Sequence, residues 1–266
     1  MSDTPTPQPN GPTEAAPPLP PLYRALEPLT AQRHGTLRLR HAGYRFAAEA
    51  NAVPLAAEEF VVAARSMPIV FAAQAPHMPV ALTGLAAGQN LYVEPDGSWR
   101  RGAYIPAYLR RHPFFLMRTA PGSEELALCL DPSAPQLGPA EGEALFTEGG
   151  KPGPVVERAL TFTRGVEEAM LRTRSMAQGL AKLGLLKPSV VQFQHGAKPL
   201  RVDGFFAVDR PALQALAPEK LAELRDRSWL EAIYAHLLSI GGLPELARDV
   251  RPASGPAAPG SSAAAG

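Results

Sequence analysis

Four arginines and a histidine interleave with three aromatic side chains between Trp99 and His112, in the stretch WRRGAYIPAYLRRH. A guanidinium offers a planar fork of donors that matches a carboxylate or a phosphate, and aromatic faces supply apolar area and attract cations. Pro106 suits the first turn of a helix, which would set Tyr104 and Tyr108 near one face with Arg111 and His112. Trp99, Arg101, Tyr104, Tyr108, Arg110, Arg111 and His112 are therefore the candidate binding residues, and the partner they suit is anionic or a peptide. The plainer alternative is a solvated basic helix whose tyrosines pack inward.

Catalytic patterns are weaker. No G-x-G-x-x-G follows a strand and no G-x-S-x-G elbow occurs. Gly150-Lys151 evokes a phosphate loop, but Pro152 stands where the magnesium-binding hydroxyl belongs. No cofactor is expected. The histidines at 34, 41, 77, 112, 195 and 236 never pair at a spacing that shares one helical face. With Cys129 as the single cysteine, no metal site is expected either, and Cys129 reads as a buried small hydrophobe in a strand. An enzyme reading would need His236 or His112 to meet Asp203 or Asp209 in a cleft. Each has a structural use instead: a satisfied buried histidine, a turn residue, a helix cap.

The bulk composition excludes more than it suggests. With 26 basic against 25 acidic residues in 266, no general attraction to nucleic acid or to an anionic membrane is encoded, and no nucleic-acid partner is expected. Residues 1–21 carry Asp3 and Glu14 but no base, which does not fit a secretory signal. The most apolar window, Phe60 to Leu85, is broken by Arg65, Pro68, Pro76, His77 and Pro79, so no membrane span is expected. The expected compartment is the cytoplasm, with the cell surface by a non-classical export route as the alternative.

These residues need elements to position them. Of 30 prolines, 11 fall in residues 1–21 and 252–266, which with their flanks (1–30 and 249–266) read as disordered tails. Residues 31–131 are strand-rich. Leu37, Leu39, Tyr44 and Phe46 alternate around Ala42-Gly43 like a hairpin, and Leu55–Arg65 has helical spacing. Pro68–Phe71 and Pro79–Leu82 read as central strands, Leu91–Trp99 as a hairpin about Asp96-Gly97, and 114–118 with 126–130 as a strand pair. Residues 132–154 read as a Pro/Gly-rich linker. Beyond it, Ala159, Phe162, Val166, Ala169, Thr173, Met176, Leu180 and Leu183 mark one stripe of a long helix closed by Gly184. A core-facing helix fits that stripe better than a dimer seam, so a homo-oligomer has no support here. A hairpin follows with its turn near His195-Gly196. Asp209 then caps a short helix, Pro218 opens another, and Ser228 with Glu231 has capping-box spacing before a helix from Trp229 to Ile240. The fold class is α+β: a β-rich N-terminal half with short helices, then a helical C-terminal half (155–248) containing one β-hairpin.

Several blocks together resemble the SapC family of bacterial proteins. They include Asn51–Leu55, Pro68–Phe71, Tyr104–Ala107, Arg110–Phe114, Gly204–Asp209 and Leu230–Leu237, in collinear order from about residue 36 to 248. The family takes its name from a protein associated with a bacterial surface layer, and it carries no established catalytic residues over to this chain. The peptide-transporter permease of the same name spans a membrane and does not fit this sequence. The resemblance implies a non-enzymatic accessory or binding protein, with an envelope association. An enzyme with a His–carboxylate pair and a surface-layer structural subunit are the alternatives.

Overall fold

The computed structural model describes residues 18–119, 123, 125–195 and 198–248. In chain order its elements are β1 (Glu27–Pro28), α1 (Ala31–His34), β2 (Arg38–Leu39), β3 (Ala52–Pro54), α2 (Phe60–Ala63), β4 (Ile69–Ala72), β5 (Pro79–Leu82) and α3 (Ala107–Arg110). There follow β6 (Phe114–Arg118), β7 (Leu126–Leu130), β8 (Leu137–Gly138), β9 (Glu143–Ala144) and α4 (Pro154–Lys182). The chain continues with β10 (Leu186–His195), β11 (Lys198–Val208), α5 (Arg210–Gln214), α6 (Pro218–Asp226), α7 (Trp229–Ser239) and α8 (Leu243–Arg248). The class is α+β.

Three antiparallel sheets carry the strands. The largest has the order β10-β11-β4-β5-β3, and the smaller ones have the orders β1-β7-β6 and β8-β2-β9. β4 and β5 lie inside the large sheet because both their faces are apolar; Ile69, Val70 and Phe71 are all buried. The C-terminal hairpin joins this sheet where Phe205 and Phe206 pair with Ala72 and Phe71. One apolar cluster draws from both halves: Val53, Leu55, Phe60 and Phe71 pack with Met176, Leu180, Leu185, Leu224 and Ile233. Within α4, Val166, Thr173, Met176 and Leu180 of the expected stripe are buried, and Thr163 and Ala177 join them. Thr173 is polar in that stripe for a reason. Its hydroxyl accepts from the Ala57 N–H at 2.8 Å and donates to the Ala169 carbonyl at 2.7 Å.

Local expectations fail where tertiary partners supply the hydrogen bonds. Leu39 and Phe46 do not form a hairpin: β2 pairs with β8 and β9, and Arg45–Ala47 is a turn of 3₁₀ helix. Residues 132–154 are no spacer, since Leu145 is fully buried and Phe146 packs beside it. Residues 18–30 are no free tail either. Tyr23 is buried and donates from its hydroxyl to the Phe114 carbonyl at 2.7 Å, and β1 pairs with β7. Residues 1–17 and 249–266, also read as tails, lie outside the described residues, as does the tip of the C-terminal hairpin. Asp209 does cap α5, accepting from the Ala212 N–H. Ser228 makes no such bond; its backbone is left-handed (φ 58°), so the hydroxyl cannot face the first turn of α7.

Candidate functional site

The Trp99–Phe114 segment is held from below by a carboxylate that sequence reading overlooked. Glu59, itself buried, accepts from the Tyr104 hydroxyl at 2.9 Å and from the Ala107 N–H at 2.7 Å. Its other oxygen accepts from the Ala56 N–H at 2.9 Å. Pro106 precedes α3 but has no side-chain acceptor, so Glu59 supplies the capping oxygen from another element. No local spacing announces this, because 48 residues separate donor and acceptor.

The candidate binding residues then part company. Trp99 is buried, stacks on Tyr92 and donates its indole N–H to the Tyr104 carbonyl at 3.0 Å. Tyr108 is buried and donates to the Pro21 carbonyl at 2.9 Å, which ties the segment before β1 to α3. Burial pushes its hydroxyl pKa up, as it does for the half-exposed Tyr104. Arg111 is only 3% exposed: its guanidinium lies between the Tyr108 and Phe115 rings, 4.2 and 4.1 Å from their centroids, and pairs with Glu167. These three are core. Arg101 is exposed and stands apart from them. The exposed Arg110 folds back, donating to the Ile105 carbonyl and the Tyr104 hydroxyl.

Arg110 borders one recess, and His112 reaches two. His112 and Phe46 border two adjoining recesses of about 480 and 300 Å³, which also share Arg40 and Ala42. Arg24, Arg45 and Asp131 line the larger recess; His41, Tyr44, Arg110 and Gln136 line the smaller. The carboxylates here are already engaged. Asp131 accepts from the Arg24 N–H at 2.7 Å, from the Ser133 N–H at 2.9 Å and from the Ser133 hydroxyl at 2.6 Å. Burial alone would raise its pKa, but the hydrogen bonds from Ser133, Arg24 and Ala25 together hold it below the ordinary carboxylate value. Glu143, on the rim of the smaller recess, pairs with Arg158. Among the described residues no carboxylate pairs with Arg24, Arg40 or Arg45; Arg45 donates to the Pro95 carbonyl at 2.8 Å. Three guanidiniums thus border one recess against the single carboxylate of Asp131, and the excess of positive charge is the electrostatic condition for holding an anion.

Burial pushes His112 down to about 4, against opposing pulls from Asp131 and Gln136, so it is neutral at pH 7. Gln136 bonds His112 Nδ1 at 3.1 Å, and the amide's other polar atom has no partner among the described residues. The Asp131-Pro132-Ser133 turn is the one part of this recess with a sequence signal, an Asx turn. Arg24, Arg40, Arg45 and Phe46 have none, because only tertiary packing gathers them.

The catalytic pairing does not form. His236 is fully buried, and both ring nitrogens are taken by backbone: Nε2 accepts from the Val208 N–H at 3.0 Å, so Nδ1 carries the proton donated to the Ile69 carbonyl at 2.8 Å. Asp209 caps α5 and pairs with Lys187, while Asp203 pairs with Arg201 on the exposed hairpin. Asp203 lies within β11 and Asp209 just past its end, each with its own partner. A third recess, about 560 Å³ between α2, α4 and α7, is bordered by Arg172 and Arg227, which pair with Glu58 and Glu223. Among the described residues no group of three acidic, histidine or cysteine side chains could hold a metal ion, and no helix is long and apolar enough to cross a membrane.

No curated protein and no solved structure matches this chain. The SapC family model matches residues 29–246, which span the strand-rich half, both recesses except for Leu22 and Arg24, and the helical half. The chain belongs to the SapC family.

Proposed function

We propose that this protein is a binding protein, not an enzyme, and that it seats an anionic group of a small or peptide partner in the recess between Phe46 and the Leu22–Arg24 segment. The observation that carries this reading is the set of three guanidiniums, Arg24, Arg40 and Arg45, around a recess whose one lining carboxylate, Asp131, is held by the Arg24 N–H and by Ser133. Phe46 and Leu22 supply apolar area for the body of the ligand. The site is the Arg/aromatic kind expected of the Trp99–His112 segment, but of that segment only His112 borders it, with Leu109 and Arg110 on the adjoining smaller recess.

Thermal-shift titration with inorganic phosphate, citrate and succinate tests the proposal. Stabilisation beyond a sodium chloride control of equal ionic strength is expected, with loss in Arg40→Ala. No anion-specific shift overturns it. A place at the cell envelope, and a structural role in a surface layer, rest on the family's name-giving member. Cell fractionation reads both, and recovery solely with the soluble cytoplasm removes them.

A further inference from the structure

Eight large apolar side chains are strongly exposed among the described residues, and four of them lie on two helices that contact each other: Val61 and Val62 on α2, Tyr234 and Leu238 on α7. Such clustering on a folded surface marks an interaction site more often than scattered single residues do. The helices lie side by side and run in the same direction, since Val61 and Glu231 border one recess and Arg65 and Leu238 border another. The exposed positions on α2 and the turns on either side of it, Glu58, Val61, Val62 and Arg65, follow helical spacing, as do Glu231, Tyr234 and Leu238 on α7.

The face is a quadrilateral with Val61 and Glu231 at one end and Arg65 and Leu238 at the other. Arg65 and Glu231 therefore stand on one diagonal, and Val61 and Leu238 on the other. Neither charge forms an ion pair among the described residues, although Glu245 borders the same recess as Arg65. Glu58, by contrast, is paired with Arg172 at 2.7 Å. A two-fold axis in the plane of the face, along the Val61–Leu238 diagonal, exchanges the other two corners. It sets Leu238 on Leu238 and each Arg65 against the Glu231 of the second copy.

We infer that the α2/α7 face is where two copies of this chain associate. An isologous two-fold contact must be complementary to itself, and this face is: apolar on the axis, opposite charges at the exchanged corners. With α7 about 16 Å long, the patch is small beside the roughly 800 Å² per partner of a standard interface, so the dimer is a weak one.

Sedimentation velocity on the full chain tests this. Wild type is expected to pass from monomer to dimer as its concentration rises to about 100 μM. Leu238→Glu, which sets two like charges on the axis, abolishes the dimer with circular dichroism unchanged. Arg65→Glu and Glu231→Arg each weaken it about tenfold, and the double variant restores it to within about threefold. A monomer throughout the range, a dimer indifferent to Leu238→Glu, or a double variant no better than the singles overturns the proposal. Anion binding in the Phe46–His112 recess lies on other elements and is unaffected by these changes.

Discussion

The imidazole of His112 lies flat against the ring of Phe46, with centroids 3.9 Å apart and planes 10° from parallel. The stack borders both recesses. The free protein holds His112 neutral at pH 7 because burial strips water from the imidazolium. An anion beside it reverses part of that penalty. Anion binding is therefore expected to raise the His112 pKa from about 4 by one unit or so, a change on the order of 1.4 kcal/mol. Binding takes up a proton only in the acid range, so affinity rises as pH falls through the pKa of the bound state towards the free-state value of about 4. NMR titration of the ring C–H signals, with and without saturating citrate, checks this. An unmoved pKa in the bound protein removes His112 from the site.

Acid stability follows from two histidines. His112 and His236 are both pushed down to about 4 by burial, whereas in the unfolded chain they titrate near 6.5. Between those values the unfolded state binds more protons than the native state, so stability is complete above about pH 6.5 and falls as pH drops towards 4. Each group accounts for on the order of 3 kcal/mol over that window. Asp131, held low by its hydrogen bonds, adds a further loss only as pH falls through its own depressed pKa. Urea denaturation between pH 7 and 4 is expected to show the slope, and His112→Gln to remove close to half of it. A profile flat from pH 7 to 4 contradicts the burial assignment.

Periodic segments were legible in the sequence because their partners are near in the chain or their faces repeat. β6 and β7 form the pair expected at 114–118 and 126–130, α4 ends within a residue of its stripe though it begins five residues before it, and α5 has its Asp209 cap. Binding residues were harder. Trp99, Tyr108 and Arg111 have the right chemistry for a ligand, yet each finds its partner inside the protein: the Tyr104 carbonyl, the Pro21 carbonyl, and Glu167. Composition cannot separate a guanidinium stacked between two rings in a core from one offered to a ligand. The difference lies in distant residues, Tyr23 as much as Glu167.

Arg111 and Arg40 should come apart in experiment. Removing Arg111 empties the slot between Tyr108 and Phe115 and leaves Glu167 without its partner. The Glu167 side chain is 29% exposed, so water repays part of the loss. Arg111→Ala is expected to cost about 2–4 kcal/mol in stability, and Arg111→Lys nearly as much, because an ammonium cannot fill the planar slot. Anion affinity at the remaining folded population is unchanged. Arg40→Ala shows the opposite pattern: melting within about 0.5 kcal/mol of wild type and anion affinity down roughly tenfold. Parallel loss of both properties in both variants would refute the separation of core from site.

The wall that carries Arg45 and Phe46 depends on a close approach of backbone to backbone at Gly43. Its φ is 65°, and a β-carbon there would stand 2.5 Å from the Gly97 carbonyl oxygen, which already accepts from the Tyr44 N–H at 2.7 Å. No rotamer change relieves a clash between main chains, so the loop itself must move, and Arg45 and Phe46 move with it. Gly43→Ala is expected to cost about 2–3 kcal/mol, from the left-handed backbone and the clash together, and to weaken anion binding about tenfold. Gly88 is the control, with φ 76° and nothing within 4 Å of its would-be β-carbon. Gly88→Ala carries only the backbone term, about 1 kcal/mol, and leaves anion affinity intact. Calorimetry and citrate titration of both variants decide the matter: equal losses of stability and affinity would show that the Gly43–Gly97 approach does not shape the recess.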